Sequence, residues 1–338
     1  MPRALILGGT GSTGRATARL LLSAGWEVSL TGRDAARVPA DITAAGGRFT
    51  AADRADVGGL AEALGDGADL LVDCLCYGAG DATVLLALAR QAASTVMISG
   101  KAVYADAAGR HANSAVKPRF DGPVSETQPT VPPGDDGYGE GKVAAEHVLL
   151  DSGLPVTVIR PGLIHGDGAR MPREWVFVKR VLDRRPRIFL ARPDAVNQTT
   201  AAANLAALIQ LAAAKPGRRI LNAADPDAPT ALEIARTIAR YLGHSWDEVL
   251  LDEPAGPVGR HPWEAPYPVV LETTAAASLG YEPAGDYATT VTGEVDWLVR
   301  AAAGAEGPRV IGDLDGDFFW PMLDYAAEDR YAAGSACG

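Results

Sequence analysis

Cysteine is scarce: three residues in 338, at positions 74, 76 and 337. So few cannot build a disulfide framework, and Cys74 and Cys76, two apart, are expected on one face of a strand. A Cys-x-Cys pair clamps a metal poorly without further ligands beside it, so both read as reduced core or pocket-lining residues in a cytoplasmic setting. His111, His147, His165 and His261 are scattered, with no His-x-x-x-His spacing, and no metal site is expected. Basic residues are in deficit, 31 against 42 acidic, for a formal charge of −11. That balance excludes nucleic acid as a partner, because phosphate binding needs clustered Lys and Arg. Long apolar runs are missing too. The chain is 47% hydrophobic, but much of that is alanine, as in Ala201–Ala203 and Ala212–Ala214. Nothing approaches the roughly 20 residues that cross a bilayer, so no membrane partner is expected. Met1 to Leu7 leads directly into a glycine turn and reads as a first strand rather than a secretion signal.

What is present is an alternation of strand and helix signals. Strands are expected at Ala4–Leu7, Glu27–Leu30, Arg48–Ala52, Asp69–Cys76, Thr95–Ser99, Val156–Ile159 and Ile220–Asn222. Helices are expected at Ala16–Ala24, Thr83–Ala93, Gly139–Leu150, Trp175–Leu182, about Ala201–Ala213, and Thr230–Leu242. Thr230 and Glu233 form a capping box on the last of these. This order predicts an α/β fold, a doubly wound parallel Rossmann sheet, with a smaller C-terminal substrate-binding domain. The dinucleotide domain is expected over 1–162 plus about 198–224, and the substrate domain over 163–197 plus about 225–303. Residues 304–338 form an extension whose patch Phe318-Phe319-Trp320 is expected to dock on the body. Residues 100–137 carry five prolines and no convincing element; a loop of that length is usually functional.

Gly8-Gly9-Thr10-Gly11-Ser12-Thr13-Gly14 follows the first strand and opens a helix. Gly8, Gly11 and Gly14 fit G-x-x-G-x-x-G. Such glycines permit a tight turn, close approach to a pyrophosphate, and packing of helix on strand. The helix N-terminus, at Thr10, Ser12 and Thr13, then offers free N–H groups to the phosphates. About 20 residues on, where NAD-binding proteins place an acid for the ribose 2′-hydroxyl, the chain reads Thr31-Gly32-Arg33-Asp34. Arg33, with Arg37 in support, suits a 2′-phosphate that a carboxylate would repel. NADP(H) is therefore the expected cofactor, with NAD(H) possible.

Tyr138 and Lys142 lie four apart at the start of an expected helix, on one face. A nearby ammonium favours phenolate, which makes Tyr138 a candidate acid/base for an alcohol–carbonyl pair. With these motifs the sequence resembles the extended short-chain dehydrogenase/reductases, the NAD-dependent epimerase/dehydratase group, over about residues 4–300. Asp53, Val103-Tyr104, Arg160-Pro161-Gly162 and Leu279-Gly280-Tyr281-Glu282-Pro283 carry the likeness further. The resemblance implies Tyr138 as acid/base, Lys142 on the nicotinamide ribose, Asp53 on the adenine amino group, and Pro161 beside the cofactor. It also implies Ser or Thr three residues before Val103-Tyr104, and there the chain has Gly100. Ser99 is the first candidate for the missing donor and Lys101 the second. Lys101-Ala102 also replaces the Asp-Glu pair of the family's dehydratases, and Asn204 stands where the family has an aspartate. The expected function is an NAD(P)-dependent oxidoreductase acting on a carbonyl or secondary alcohol of a small metabolite. An NAD-dependent sugar-nucleotide epimerase and a non-catalytic NADP-binding redox sensor are the alternatives. A homodimer built on the helices near 83–93 and 139–150 is expected.

Overall fold

The computed structural model describes residues 1–304 and 318–335. Its strands, in chain order, are β1 (Arg3–Leu7), β2 (Glu27–Gly32), β3 (Arg48–Ala51), β4 (Ala68–Asp73), β5 (Ala92–Ile98), β6 (Val156–Pro161), β7 (Leu163–His165), β8 (Arg187–Ala191), β9 (Thr199–Ala201), β10 (Arg219–Ala223) and β11 (Asp247–Leu251). Seven of them make one parallel sheet in the order β10-β6-β5-β4-β1-β2-β3. The strand order reverses beside β1, which places the crevice for a ligand at the carboxyl ends of β1 and β4. The apolar runs at its centre explain the parallel pairing, since both faces are covered: Leu5, Ile6, Leu7, Leu71 and Val72 are all 1% exposed or less. In register, Ala4 lies opposite Val28 on one side and Leu70 on the other.

Helices Ser12–Ser23 and Ala202–Ala214 pack together on one face, and helices Ala79–Ala89 and Tyr138–Leu150 on the other. The capping box on helix Ala231–Tyr241 forms as expected, Thr230 and Glu233 bonding each other's backbone. Beyond the sheet, β8 pairs with β11 and β7 with β9, both parallel. A separate apolar cluster fills this region around Trp175, Phe177, Trp263, Tyr287 and Trp297, with Phe177 stacked on Trp263 at 5.5 Å between ring centres.

Three expectations change. The fourth strand ends at Asp73, because the Asp73 carboxylate accepts from Leu75 N (2.7 Å) and turns the chain. Cys74 and Cys76 thus follow the strand rather than share its face. Both are free, and burial pushes both thiols up to about 12. Cys337 lies outside the described residues. The helix expected from Thr83 starts at Ala79, where the Asp81 side chain accepts from Tyr77 N (2.8 Å), and Ala92-Ala93 already belong to β5. Of the aromatic patch, Phe319 docks at 2% exposure, while Phe318 and Trp320 stay 44% and 68% exposed. The helix Tyr325–Ser335 is fastened by the buried pair Arg180–Glu328 (2.6 Å).

Candidate active site

A cavity of about 1690 Å³ runs over the carboxyl ends of β1, β2, β4 and β5. Thr10, Gly11, Ser12, Thr13, Gly14, Arg33, Arg37 and Asp53 line one end. Gly100, Lys101, Tyr138, Pro161, Arg173 and Asn197 line the other. The lower wall includes Lys117, Pro118 and Phe120 of the proline-rich loop, together with Tyr267 and Phe318.

The glycine turn fits a dinucleotide. The helix Ser12–Ser23 begins without a side-chain cap and without an acid in its first turn, which leaves its N–H groups and positive dipole end facing the cavity. A Cβ on Gly14 would meet Gly8 O and Gly9 Cα at 2.6 Å, so that glycine lets the helix press on the turn. A Cβ on Gly11 would find its nearest neighbour only at 3.7 Å. The protein itself does not forbid a side chain at Gly11; a phosphate in the cradle would. Gly14→Ala should therefore lower the unfolding midpoint and weaken dinucleotide binding at least tenfold, whereas Gly11→Ala should lose binding alone. Denaturation curves beside a cofactor titration separate the two, and a fully stable Gly14→Ala would refute the packing role.

Arg33 is exposed at the end of β2. Its neighbour Asp34 caps the following short 3₁₀ turn, accepting from Ala36 N at 3.0 Å. Asp53 is exposed on the cavity rim and accepts from Ala55 N (2.9 Å).

Tyr138 opens its helix after Gly137 and is 47% exposed toward the cavity. Its hydroxyl faces Gly100: a Cβ built there would sit 3.4 Å from that oxygen. Burial pushes the phenol up to about 12, Tyr77 adds to the shift, and the Arg173 guanidinium opposes it. Lys142 is 1% exposed, and its ammonium donates to Cys76 O (2.7 Å) and Ile98 O (2.8 Å). It lies 4.5 Å from the ring centre of Tyr77 and 5.5 Å from that of Tyr138. Burial lowers its proton affinity. Tyr77, which the sequence did not single out, covers Lys142 on the cavity side.

Ser99 follows β5 and is 3% exposed, but its hydroxyl is already donated to Glu146 Oε1 (2.5 Å). Glu146 also receives Arg160 Nε (3.1 Å), and both of these side chains are buried. The Glu146 carboxylate thus accepts the serine's one hydrogen-bond donor, so the hydroxyl has no donor left for a substrate at Tyr138. Lys101 donates to Asn197 Oδ1 and to Gln198 O (3.0 Å). Burial depresses its ammonium well below the ordinary range, and the charge of Arg173 adds to the effect. Arg173 was missed in the sequence because one arginine ahead of a helix carries no motif.

Asn204 is fully buried. It donates to Asp225 Oδ1 (2.8 Å) and Gly285 O (2.9 Å), which ties two segments together instead of reaching the cavity. His165 is also buried, with Nε2 at 3.0 Å from Asp225 Oδ2. His165, Glu174 and Glu294 bring potential ligand atoms within 4.8 Å of one another, a grouping that their sequence spacing conceals. Burial, and then the neighbouring Glu174, push the Glu294 carboxyl well above the ordinary range, so Glu294 favours its protonated form.

A family model described as NAD(P)H-binding matches residues 8–179. No sequence among the curated proteins matches significantly. Among solved structures, the UDP-Glc/GlcNAc 4-epimerase of Campylobacter jejuni superposes with a TM-score of 0.70 at 16% identity, covering 89% of this chain and 100% of its own. The UDP-glucose 4-epimerase of Thermus thermophilus, in complex with NAD, gives 0.66 at 19% identity, over 88% and 99%. The UDP-glucuronic acid 4-epimerase of Bacillus cereus, bound to UDP-glucuronic acid and NAD, gives 0.65 at 17%, again over 88% and 99%. At these identities the likeness is one of fold, a doubly wound parallel sheet. Together with the glycine turn and its cavity, the family match makes this chain a member of the NAD(P)H-binding family.

Proposed function

We propose that this protein is an NADP(H)-dependent oxidoreductase acting on a carbonyl or secondary alcohol of a small metabolite. The carrying observation is that one cavity joins the open glycine cradle to the Tyr138 hydroxyl. The nicotinamide would supply hydride exchange with the substrate carbon. The chain's own residues do the rest. The N–H groups at Gly11–Thr13 hold the pyrophosphate, Asp53 reaches the adenine, and Pro161 borders the nicotinamide end. Tyr138, whose phenol keeps its proton at neutral pH, gives that proton to a carbonyl oxygen during reduction. Lys142 braces this region through the Cys76 and Ile98 carbonyls, and it reaches a ribose only when Tyr77 turns aside.

The NADP(H) preference is supported by Arg33 on the rim and by Asp34, whose cap leaves the acidic position at the end of β2 to Gly32. Arg33→Ala should weaken NADPH by about 1.5–3 kcal/mol, the value of a charge-assisted hydrogen bond, and leave NADH nearly unchanged. Calorimetry on both cofactors checks this; tighter binding of NAD than of NADP by the natural sequence would overturn the preference. The epimerase reading would then gain, since epimerases on this fold hold NAD in their solved complexes.

In this reading residues 1–162 with about 198–224 serve the dinucleotide, and 163–197 with about 225–303 serve the substrate. The membership of β10 in the main sheet supports the first assignment. The extension 304–338 contributes Phe318 to the cavity wall. The paired helices Ala79–Ala89 and Tyr138–Leu150, with Val84, Leu86, Val148 and Leu150 half-buried on them, are the surface for a homodimer. No described helix is long and apolar enough to cross a membrane.

A further inference from the structure

Beside the Tyr138 hydroxyl the chain has removed a side chain and gathered positive charge. Gly100 puts no side chain into the cavity beside Tyr138, where the atoms nearest a Cβ would be the phenol oxygen at 3.4 Å and a ring carbon at 3.7 Å. The same stretch of cavity wall carries Lys101 and Arg173. Among the described residues neither side chain makes an ion pair. The ammonium of Lys101 is held by an amide oxygen and a backbone carbonyl, both uncharged. Among the described residues the Arg173 guanidinium makes no hydrogen bond or ion pair; it feels Glu174, Glu294 and Tyr138 only through space. Glu294 favours its protonated form, so the carboxyl pair behind Arg173 counts for less than two negative charges. Burial depresses the ammonium of Lys101, and the charge of Arg173 across the same partly desolvated space adds to it. Such an arrangement is costly unless an anion is meant to lie between them.

We propose that the substrate is a hydroxy or oxo acid whose carboxylate is held between Lys101 and Arg173, with the reacting carbon at the Tyr138 hydroxyl. The proposal rests on reading the cavity as the substrate site. The planar guanidinium fork matches a carboxylate bidentately, and Lys101 adds a point charge from the side. The missing side chain at Gly100 leaves the compact acid group room next to Tyr138, where a serine would have pointed a hydroxyl. Donors to the substrate oxygen and to its acid group are thereby separated. Tyr138 serves the first, and Lys101 with Arg173 the second. Dispensing with the serine then follows from the substrate's charge and implies no loss of chemistry.

The test uses the full chain saturated with NADP⁺, so that the phosphate cradle is filled, and titrates it with malonate and with uncharged malonamide. Malonate is expected to bind at least tenfold more tightly than malonamide. Lys101→Met and Arg173→Met should each lose at least tenfold in malonate affinity, Arg173→Lys should recover part of it, and NADP⁺ affinity should stay within about twofold in all three. Equal binding of malonate and malonamide would overturn the proposal, as would malonate affinity that survives both substitutions. So would malonate that binds only when NADP⁺ is left out, since it would then be occupying the pyrophosphate cradle. If a methionine variant does not fold, Arg173→Lys and Lys101→Gln carry the comparison. Failure of NADP⁺ itself to bind would instead strike the proposed function, and the two failures are read in separate titrations.

Discussion

Replacing Tyr138 by phenylalanine should leave NADPH affinity unchanged and lower turnover by about 10²–10⁴, the usual worth of a positioned acid or base. The expectation follows from placement. The ring stands in the cavity wall, and its oxygen looks across the space at Gly100 rather than into the protein. Its removal should therefore cost no packing. The raised phenol fixes the direction of the pH dependence. Below about 12 the oxygen carries its proton, so carbonyl reduction should hold its rate through neutral pH and fail only in strong alkali. Alcohol oxidation needs the phenolate and should climb with pH across the same range. Steady-state rates of the natural protein and the phenylalanine variant, measured in both directions from about pH 6 to 10, check both statements. Unaltered turnover in the variant would remove Tyr138 from the chemistry.

Glu146→Ala should destabilise the protein by about 3–5 kcal/mol, the cost of leaving a buried charge without its partner. Glu146 is 1% exposed and Arg160 3%, and the carboxylate accepts from both the guanidinium and Ser99. Arg160 also lies 4.9 Å from the ring centre of Tyr104, whose hydroxyl donates to Asn222 (2.6 Å). The deletion thus strands an arginine, a serine hydroxyl and the end of a buried polar chain. The double variant Glu146→Leu with Arg160→Met removes both charges and should recover most of the loss. Urea unfolding of the single and double variants measures this; a single-variant loss under about 1 kcal/mol would show that water reaches the pair.

Much of the main sheet could be read from the sequence because its signals are local. An apolar run, a glycine turn and a helix start follow one another between Arg3 and Gly14. Tyr138 and Lys142 were legible by their spacing of one helical turn. The strands outside the main sheet were less so. Strands β7, β8, β9 and β11 are three to five residues long, and each is stabilised by a partner 36 to 60 residues away, which periodicity does not report. The role of Ser99 was hidden for a related reason. Its hydroxyl is claimed by Glu146, 47 residues on, and no rule of neighbouring residues announces that. Arg173, Tyr77 and Phe318 reach the cavity from three separate segments, and the cluster of His165, Glu174 and Glu294 likewise exists only after folding.

The place of β10 at the edge of the main sheet has a consequence for synthesis on the ribosome. Strand β6 is finished at Pro161, yet its outer partner is complete only at Ala223, 62 residues later. At about 5–20 residues per second that interval lasts about 3–12 s. Throughout it a strand whose residues are all buried in the finished protein presents an unpaired edge to the cell. Helix Ala202–Ala214 emerges just ahead of β10 and packs against helix Ser12–Ser23, which was made first. The earliest and latest pieces of the sheet layer thus close together, and the nascent chain is most open to aggregation, or to a chaperone, while residues 162–223 are still being added.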